Sequence, residues 1–193
     1  MLAAVASAAV LLGAAGLLLL ALAVPMVRRA PAMGRLVAGQ AACLAPVLLG
    51  QAWFQGSWQL AVLALGTVAV KLVALPRVLR MLSPALGEGA VPGWLMPAGV
   101  AVAIAAVALA APGAGMGMAV ALAAVLLGAL LAAARRDPAG QLAAVLTLEN
   151  GLVLGLSAVP VFPGMALLAL ATLALPAAVA LALLRRVLPE ERA

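Results

Sequence analysis

Long apolar segments follow one another along almost the whole chain, and short polar or glycine- and proline-containing connections separate them. A bilayer core of about 30 Å is crossed by roughly 20 consecutive apolar residues in a helix. The pattern therefore predicts an all-α integral membrane protein with about seven transmembrane helices. The predicted helices cover residues 2–27, 36–54, 58–79, 93–111, 115–134, 139–159 and 164–184.

Basic residues fall almost entirely in alternate connections between these predicted helices. Ten of the eleven Lys and Arg residues are Arg28, Arg29, Arg35, Arg77, Arg80, Arg135, Arg136, Arg185, Arg186 and Arg192. If seven helices alternate in direction, all ten lie on one side, whereas an even number of helices would scatter them. The positive-inside rule then predicts an amino terminus outside the cell and a carboxyl terminus in the cytoplasm.

The longest connection, at 81–92, contains serine, proline and glycine and separates two groups of helices. It divides the chain into a three-helix half over residues 1–80 and a four-helix half over residues 93–193. The other connections are short, so consecutive helices are expected to be antiparallel neighbours. We therefore expect a single membrane domain over residues 1–193.

The amino-acid composition of the chain argues against several classes of function. Hydrophobic residues make up 68% of the chain and charged residues 8%, which is far from the composition of a water-soluble domain. Without histidine and with Cys43 as the single cysteine, the chain offers no ligand set for zinc, haem or an iron–sulfur cluster, and few groups for acid–base or nucleophilic catalysis. The basic residues form no contiguous patch for nucleic acid. The expected partner is the lipid bilayer, and the expected protein is a non-enzymatic subunit or a transporter.

Ionisable residues inside predicted membrane helices are the candidates for function, because charge is costly there. Glu149 lies near the middle of the sixth predicted helix, too deep for its side chain to reach the surface, and is a candidate carrier or electrostatic relay of protons. The alternative is a protonated carboxyl group that bonds to another helix. Lys71, in the third helix, either couples to such a proton path or extends its ammonium to the interface. Pro76 cannot donate to the carbonyl of Leu72, so a kinked and locally polar backbone is expected beside Lys71.

Two regions resemble one known family. The run RRDPAGQLAAVLTLENG at 135–151, in which an arginine precedes a membrane helix with a Glu-Asn-Gly triplet, resembles hydrogenase-4 component E. Arg35 followed by GQAACLAPVL, and the motif VKLVALP with Lys71 and Pro76, resemble the second and third helices of the same family. The last three predicted helices also look like subunit K of respiratory complex I and, more distantly, like its counterpart in the multisubunit Na⁺/H⁺ antiporters.

The resemblance implies a small subunit in the membrane arm of a complex I-like assembly, of the formate hydrogenlyase or group 4 nickel–iron hydrogenase type. Its partners would be antiporter-like and other membrane-arm subunits in a bacterial cytoplasmic membrane, and the nickel–iron and iron–sulfur centres would lie in partner subunits. Glu149 and Lys71 would then serve proton or sodium translocation, with Arg136, Asn150, Pro76 and Thr172 as candidate supporting residues.

This sequence departs from the family in the last helix, where Thr172 or an apolar neighbour takes the place of the expected carboxylate. The resemblance therefore does not extend to a relay of two carboxylates through this chain. Two other functions stay open from the residues: a stand-alone transporter of ions or small solutes, with Glu149 and Lys71 at its substrate site, and a structural scaffold subunit.

Overall fold

The computed structural model describes residues 2–86 and 89–159, together with the isolated positions 171, 174 and 178. Its helices are α1 (Leu2–Ala23), α2 (Ala30–Gln55), α3 (Trp58–Thr67), α4 (Leu75–Leu86), α5 (Leu95–Ala134) and α6 (Pro138–Ser157). A 3₁₀ turn, Val24–Met26, follows α1, and a π-helical segment, Val68–Ala74, joins α3 to α4. The regular elements of these described residues are thus helical, in agreement with the predicted class.

Four stretches of the described residues are long and apolar enough to cross a membrane. They are Ala30–Gln55, Trp58–Met81, Leu95–Ala134 and Pro138–Ser157, and a shorter apolar helix covers Val10–Met26. The predicted helix at 164–184 and the predicted site residue Thr172 lie outside the described residues. The described helices therefore indicate a multi-pass membrane protein, while the number seven and the orientation stay predictions.

Helix α5 is 40 residues long, which would span about 60 Å, or twice a bilayer core, if it were straight. It is interrupted at Gly115, whose φ of 81° and ψ of 165° are accessible to glycine and not to other residues. Ala103 and Ala106 of the first half share an apolar cluster with Ala123 and Leu127 of the second half. The two halves therefore pack against each other, and they correspond to the helices predicted at 93–111 and 115–134.

Helix α2 begins six residues earlier than predicted. Arg29 caps it in an extended conformation, and Pro31 lies in its first turn, where a missing N–H costs nothing. Arg35 consequently lies within α2 and not in the preceding connection. The third predicted helix, in turn, continues through α4 to Leu86, beyond the predicted end at residue 79.

Three connections meet at one end of the bundle, which we call the arginine end. The Nη1 of Arg135 donates to the carbonyl of Val27 at 2.7 Å, and the backbone N–H of Gly89 donates to the carbonyl of Arg28 at 3.0 Å. A Cβ on Gly89 would also meet the Asp137 carboxylate. The connections after α1, α4 and α5 therefore share one end, as the grouping of the arginines predicts. At the opposite end, the Gln55 side chain donates to the carbonyl of Ser157 at 2.8 Å; we call this the glutamine end.

Glycines set the orientation of α6. A Cβ on Gly128 of α5 would lie 2.5 Å from the backbone nitrogen of Leu148, and a Cβ on Gly151 of α6 would lie 2.7 Å from that of Val125. The backbones of α5 and α6 thus approach as closely as small residues allow in a membrane bundle. This contact fixes the rotation of α6 and with it the direction of the residues that precede Gly151.

Candidate ion-translocation site

Lys71 and Glu149 form an ion pair inside the bundle. The Nζ of Lys71 lies 3.0 Å from Oε1 of Glu149, and the two residues are 0% and 6% exposed. Along α6, Glu149 is about 16 Å from the start of the helix and about 12 Å from its end, by the rise per residue. The lysine side chain is therefore turned into the bundle interior. The alternative in which its ammonium extends to the interface is wrong for this fold.

The backbone that carries Lys71 departs from α-helical geometry. Val68–Ala74 is π-helical, and the N–H of Leu75 bonds to the carbonyl of Val70, five residues earlier. Pro76 follows at once and cannot supply the N–H that an α-helix would direct to Leu72. Single π-helical turns are often found at functional sites, because they rotate one side chain away from the ordinary helical register. The expected irregularity beside Lys71 is present and has this form.

A chain of hydrogen bonds connects Lys71 to α2 and α6. Lys71 Nζ donates to Oδ1 of Asn150 at 2.7 Å, and Nδ2 of Asn150 donates to Oε1 of Gln40 at 3.0 Å. Nε2 of Gln40 donates to Oγ1 of Thr147 at 3.2 Å, and that hydroxyl donates to the carbonyl of Ala143 at 2.8 Å. Gln40, Lys71, Thr147 and Asn150 are all fully buried. We call these residues, together with Glu149, the polar layer.

This chain has one direction. The carbonyl of Ala143 can only accept a hydrogen bond, so Thr147 must donate to it and accept from Gln40. That choice fixes the amide of Gln40, which in turn fixes the amide of Asn150. The chain therefore ends with the acceptor oxygen of Asn150 pointing at Lys71. The amides of Gln40 and Asn150 do not pass protons readily. The chain of hydrogen bonds therefore positions the ion pair and does not form a proton wire.

Glu149 is the part of the polar layer with unused hydrogen-bonding capacity. Its Oε1 lies 3.0 Å from the Nζ of Lys71, and its Oε2 accepts no hydrogen bond within the described chain. The buried Oγ1 of Thr67, one turn before Lys71, is also without a partner there. Native structures contain few such atoms, and an ion, a water molecule or a catalytic role is their usual explanation.

Apolar side chains separate the polar layer from both ends of the bundle. One cluster of buried residues lies toward the arginine end, and another lies toward the glutamine end. Along each helix, one buried apolar residue from each cluster lies on either side of the polar residue in the sequence. These residues are Val37 and Leu44 for Gln40, Leu63 and Leu75 for Lys71, and Leu146 and Val153 for Glu149. Among the described residues, the polar layer is thus closed toward both membrane surfaces.

The structure brings most of the sequence-based candidates together at one site and leaves one of them apart. Glu149, Lys71 and Asn150 meet in the polar layer, and Pro76 lies directly after the π-helical segment. Arg136 does not reach the layer, because it is exposed at the arginine end.

Two members of the polar layer do not stand out in the sequence. Gln40 is an isolated amide in an otherwise small and apolar stretch, and Thr147 belongs to a helix on which the polar residues make no stripe with Glu149. The only signal is that each is polar within a predicted membrane helix, where polar side chains seek partners. Elsewhere in the described chain, no three His, Cys, Asp or Glu side chains come together as a metal-binding group.

Comparison with protein-family models, with curated proteins and with solved structures finds no match to this chain. The resemblance of residues 135–151 to hydrogenase-4 component E therefore stays a prediction. A function is therefore inferred more directly from the geometry of the polar layer than from this resemblance. What the polar layer offers chemically is a buried proton donor and a buried proton acceptor 3.0 Å apart, with the donor also held by a hydrogen bond to the neutral side chain of Asn150.

Proposed function

We propose that this chain is a non-catalytic membrane subunit of a complex I-like, hydrogenase-type redox complex, and that its Lys71–Glu149 pair takes part in proton movement coupled to electron transfer. The observation that carries the proposal is the buried ion pair at mid-helix depth, with Oε2 of its carboxylate free of hydrogen bonds among the described residues. Ionisable residues inside membrane helices are rare and mark ion pathways.

The pair is suited to store and release a proton. Transfer from the ammonium to the carboxylate converts two buried charges into two neutral groups without changing the net charge. Lysine gives up its proton readily when buried, unlike arginine. The two forms are close in energy when the cost of desolvating the charges nearly balances their attraction. A change of charge on a neighbouring subunit then suffices to favour one form over the other.

The apolar clusters on both sides of the polar layer favour a membrane-arm role over a stand-alone transporter. A solute carrier needs a cavity that opens in turn to each surface. Val37 and Leu75 on one side and Leu44 and Leu63 on the other leave the pair without such access among the described residues. Partner subunits would supply the remaining proton path, the nickel–iron and iron–sulfur centres, and the redox chemistry. The expected location is the bacterial cytoplasmic membrane.

The proposed topology has seven transmembrane helices, an external amino terminus and the arginine end in the cytoplasm. It can be tested with single cysteines in a Cys43→Ala background: Ser57→Cys, two residues after Gln55 at the glutamine end, and Ala90→Cys at the arginine end. A membrane-impermeant thiol reagent applied from the periplasm should label Ser57→Cys alone. Labelling of Ala90→Cys alone would reverse the orientation.

Glu149→Gln tests the proposed function. The substitution keeps the size of the side chain and one acceptor oxygen but removes its charge and its proton exchange. We expect the complex to assemble and proton movement per electron to fall toward that of an uncoupled complex, with a milder loss in Glu149→Asp. Hydrogen chemistry measured with artificial electron carriers should not change, because that assay bypasses the membrane arm.

The alternatives give different results in the same preparation. If Glu149→Gln assembles and moves protons normally in vesicles, Glu149 is structural and the chain is a scaffold. If the chain purifies alone as a monodisperse protein that transports a solute, it is a transporter. Co-purification of antiporter-like subunits in mild detergent supports the membrane-arm assignment.

A further inference from the structure

We infer that the ammonium of Lys71 is the resident cation of an oxygen-lined cation site and that it makes the polar layer selective for protons over sodium. This inference rests on the proposed function and names its ion. Two oxygens define the site: Oε1 of Glu149 at 3.0 Å from Nζ, and Oδ1 of Asn150 at 2.7 Å. Carboxylate and amide carbonyl oxygens are also the ligands of hard metal cations.

The direction of the hydrogen-bond chain makes this a site for a cation. Because Ala143 supplies a carbonyl at one end, Gln40 and Asn150 each have a fixed amide orientation, and Asn150 presents oxygen to the space that Nζ occupies. The Glu149 carboxylate faces the same space. An oxygen-lined and negatively charged space of this kind would attract any small cation. The protein fills it with a cation that is covalently attached.

Charge balance explains why a sodium ion would not join Lys71. The buried charged residues of the described chain are Lys71, Glu149 and Arg135, and Arg135 is paired with Asp137. The polar layer therefore holds one positive and one negative charge. A sodium ion beside the ammonium would leave an uncompensated charge between two apolar clusters, which is strongly unfavourable.

A proton can move within the pair at no such cost. In the step Lys71–NH₃⁺ with Glu149–COO⁻ to Lys71–NH₂ with Glu149–COOH, one N–H bond breaks and one O–H bond forms. No electron is gained or lost, and the layer stays neutral before and after the step. Lys71 thus permits proton exchange and blocks sodium at the same oxygens.

Removal of Lys71 should convert the layer into a sodium site. In Lys71→Met, the vacated space retains the Glu149 carboxylate and the Asn150 carbonyl oxygen, and Oε2 of Glu149 is free to add a further ligand. The matched control is Lys71→Met combined with Glu149→Gln, which has the same vacated space but no negative charge. Lys71→Gln is a second neutral variant in case methionine prevents folding.

The experiment compares thermal unfolding and ²²Na⁺ binding in sodium chloride and in choline chloride, using the full chain with the partners that co-purify. For the natural chain we expect equal melting temperatures in the two salts and no saturable ²²Na⁺ binding. For Lys71→Met or Lys71→Gln we expect a melting temperature that rises with sodium and saturates, as ligand linkage requires, with matching ²²Na⁺ binding. The double variant should lose both effects.

Saturable ²²Na⁺ binding by the natural chain overturns the inference, and so does a folded Lys71→Met or Lys71→Gln protein that ignores sodium. These results are separate from a failure of the proposed function, because they need no electron transfer. Normal proton movement in Glu149→Gln removes the proposed function. Impaired movement in that variant, together with a sodium requirement in the natural chain, preserves the function and removes only the inference about the ion.

Discussion

Arg135 and Lys71 are both completely buried cations, but their surroundings differ. The guanidinium of Arg135 forms two hydrogen bonds to the Asp137 carboxylate, at 2.8 and 3.1 Å, and a third to the carbonyl of Val27. Asp137 also accepts from the backbone N–H of Gly140 at 2.7 Å and so caps α6. The ammonium of Lys71, in contrast, has a carboxylate partner that lies 78 residues away and whose Oε2 is unpaired in the described chain.

The difference separates a structural cation from one that can act. Arginine does not lose its proton in proteins, and a bidentate pair at the end of a helix is a fixed junction. Lysine can lose its proton when buried, and Glu149 retains unused acceptor capacity that can take it. Burial alone therefore does not identify a functional charge. The proposed role of Lys71 rests instead on the ability of both partners to exchange a proton and on the Oε2 of Glu149, which is unpaired in the described chain.

The largest effect is expected from breaking the Lys71–Glu149 pair. Lys71→Met in choline buffer leaves the Glu149 carboxylate buried without a cation, and removal of one member of a buried pair costs about 3–5 kcal/mol. Combining it with Glu149→Gln should restore most of the free energy of unfolding, because no buried charge is left. Proton movement per electron should not return. The check is a double-mutant cycle from unfolding in detergent, with proton movement measured in vesicles.

Additive losses of stability in this cycle would show that the two residues do not interact as the 3.0 Å contact implies. Recovery of proton movement in the double variant would mean that the pair is a structural junction like Arg135. Either result would remove the contrast between the two cations.

The sequence reveals both members of the Lys71–Glu149 pair but not their contact. Glu149 is conspicuous because it is a carboxylate in the middle of an apolar segment, and Lys71 stands out for the same reason. Their contact is not predictable, since it depends on the π-helical turn and on the glycine contact between α5 and α6. Gln40 cannot be predicted as a site residue from the sequence, because a single amide in an apolar helix forms no motif. Only the structure shows that it accepts a hydrogen bond from Asn150.

The helices themselves are more predictable than the site. Membrane spans follow from the length of apolar segments, and these segments are long here. Helix ends are less predictable: α2 starts at Ala30 because proline is tolerated in a first turn, although Arg35 resembles a loop residue in the sequence. At the end of α5, the sequence has two adjacent arginines, and only the fold shows that Arg135 is buried while Arg136 is exposed.

A smaller effect is expected from Arg135→Lys. Lysine keeps the charge but cannot reproduce the two-pronged contact with Asp137 and the bond to Val27 at the same time. Loss of hydrogen bonds to a charged group lowers the free energy of unfolding by about 1.5–3 kcal/mol. We expect a lower melting temperature in detergent. Proton movement per electron in the assembled fraction should be unchanged, because the polar layer is intact.

The smallest effect is expected from Arg136→Gln, the matched control for Arg135→Lys. Both arginines adjoin the start of α6, but the side chain of Arg136 is exposed, so its removal breaks no buried contact. Substitutions of exposed residues such as Arg136 rarely change stability measurably.

The same variant also tests a functional role of Arg136, because the resemblance to hydrogenase-4 component E implies that this residue supports translocation. If Arg136→Gln leaves the melting temperature unchanged but lowers proton movement, this arginine acts through a partner protein. It would then differ both from Arg135, which is structural, and from Lys71, which acts inside the bundle. If both quantities are unchanged, Lys71 is the one residue among these three basic side chains that takes part in ion movement.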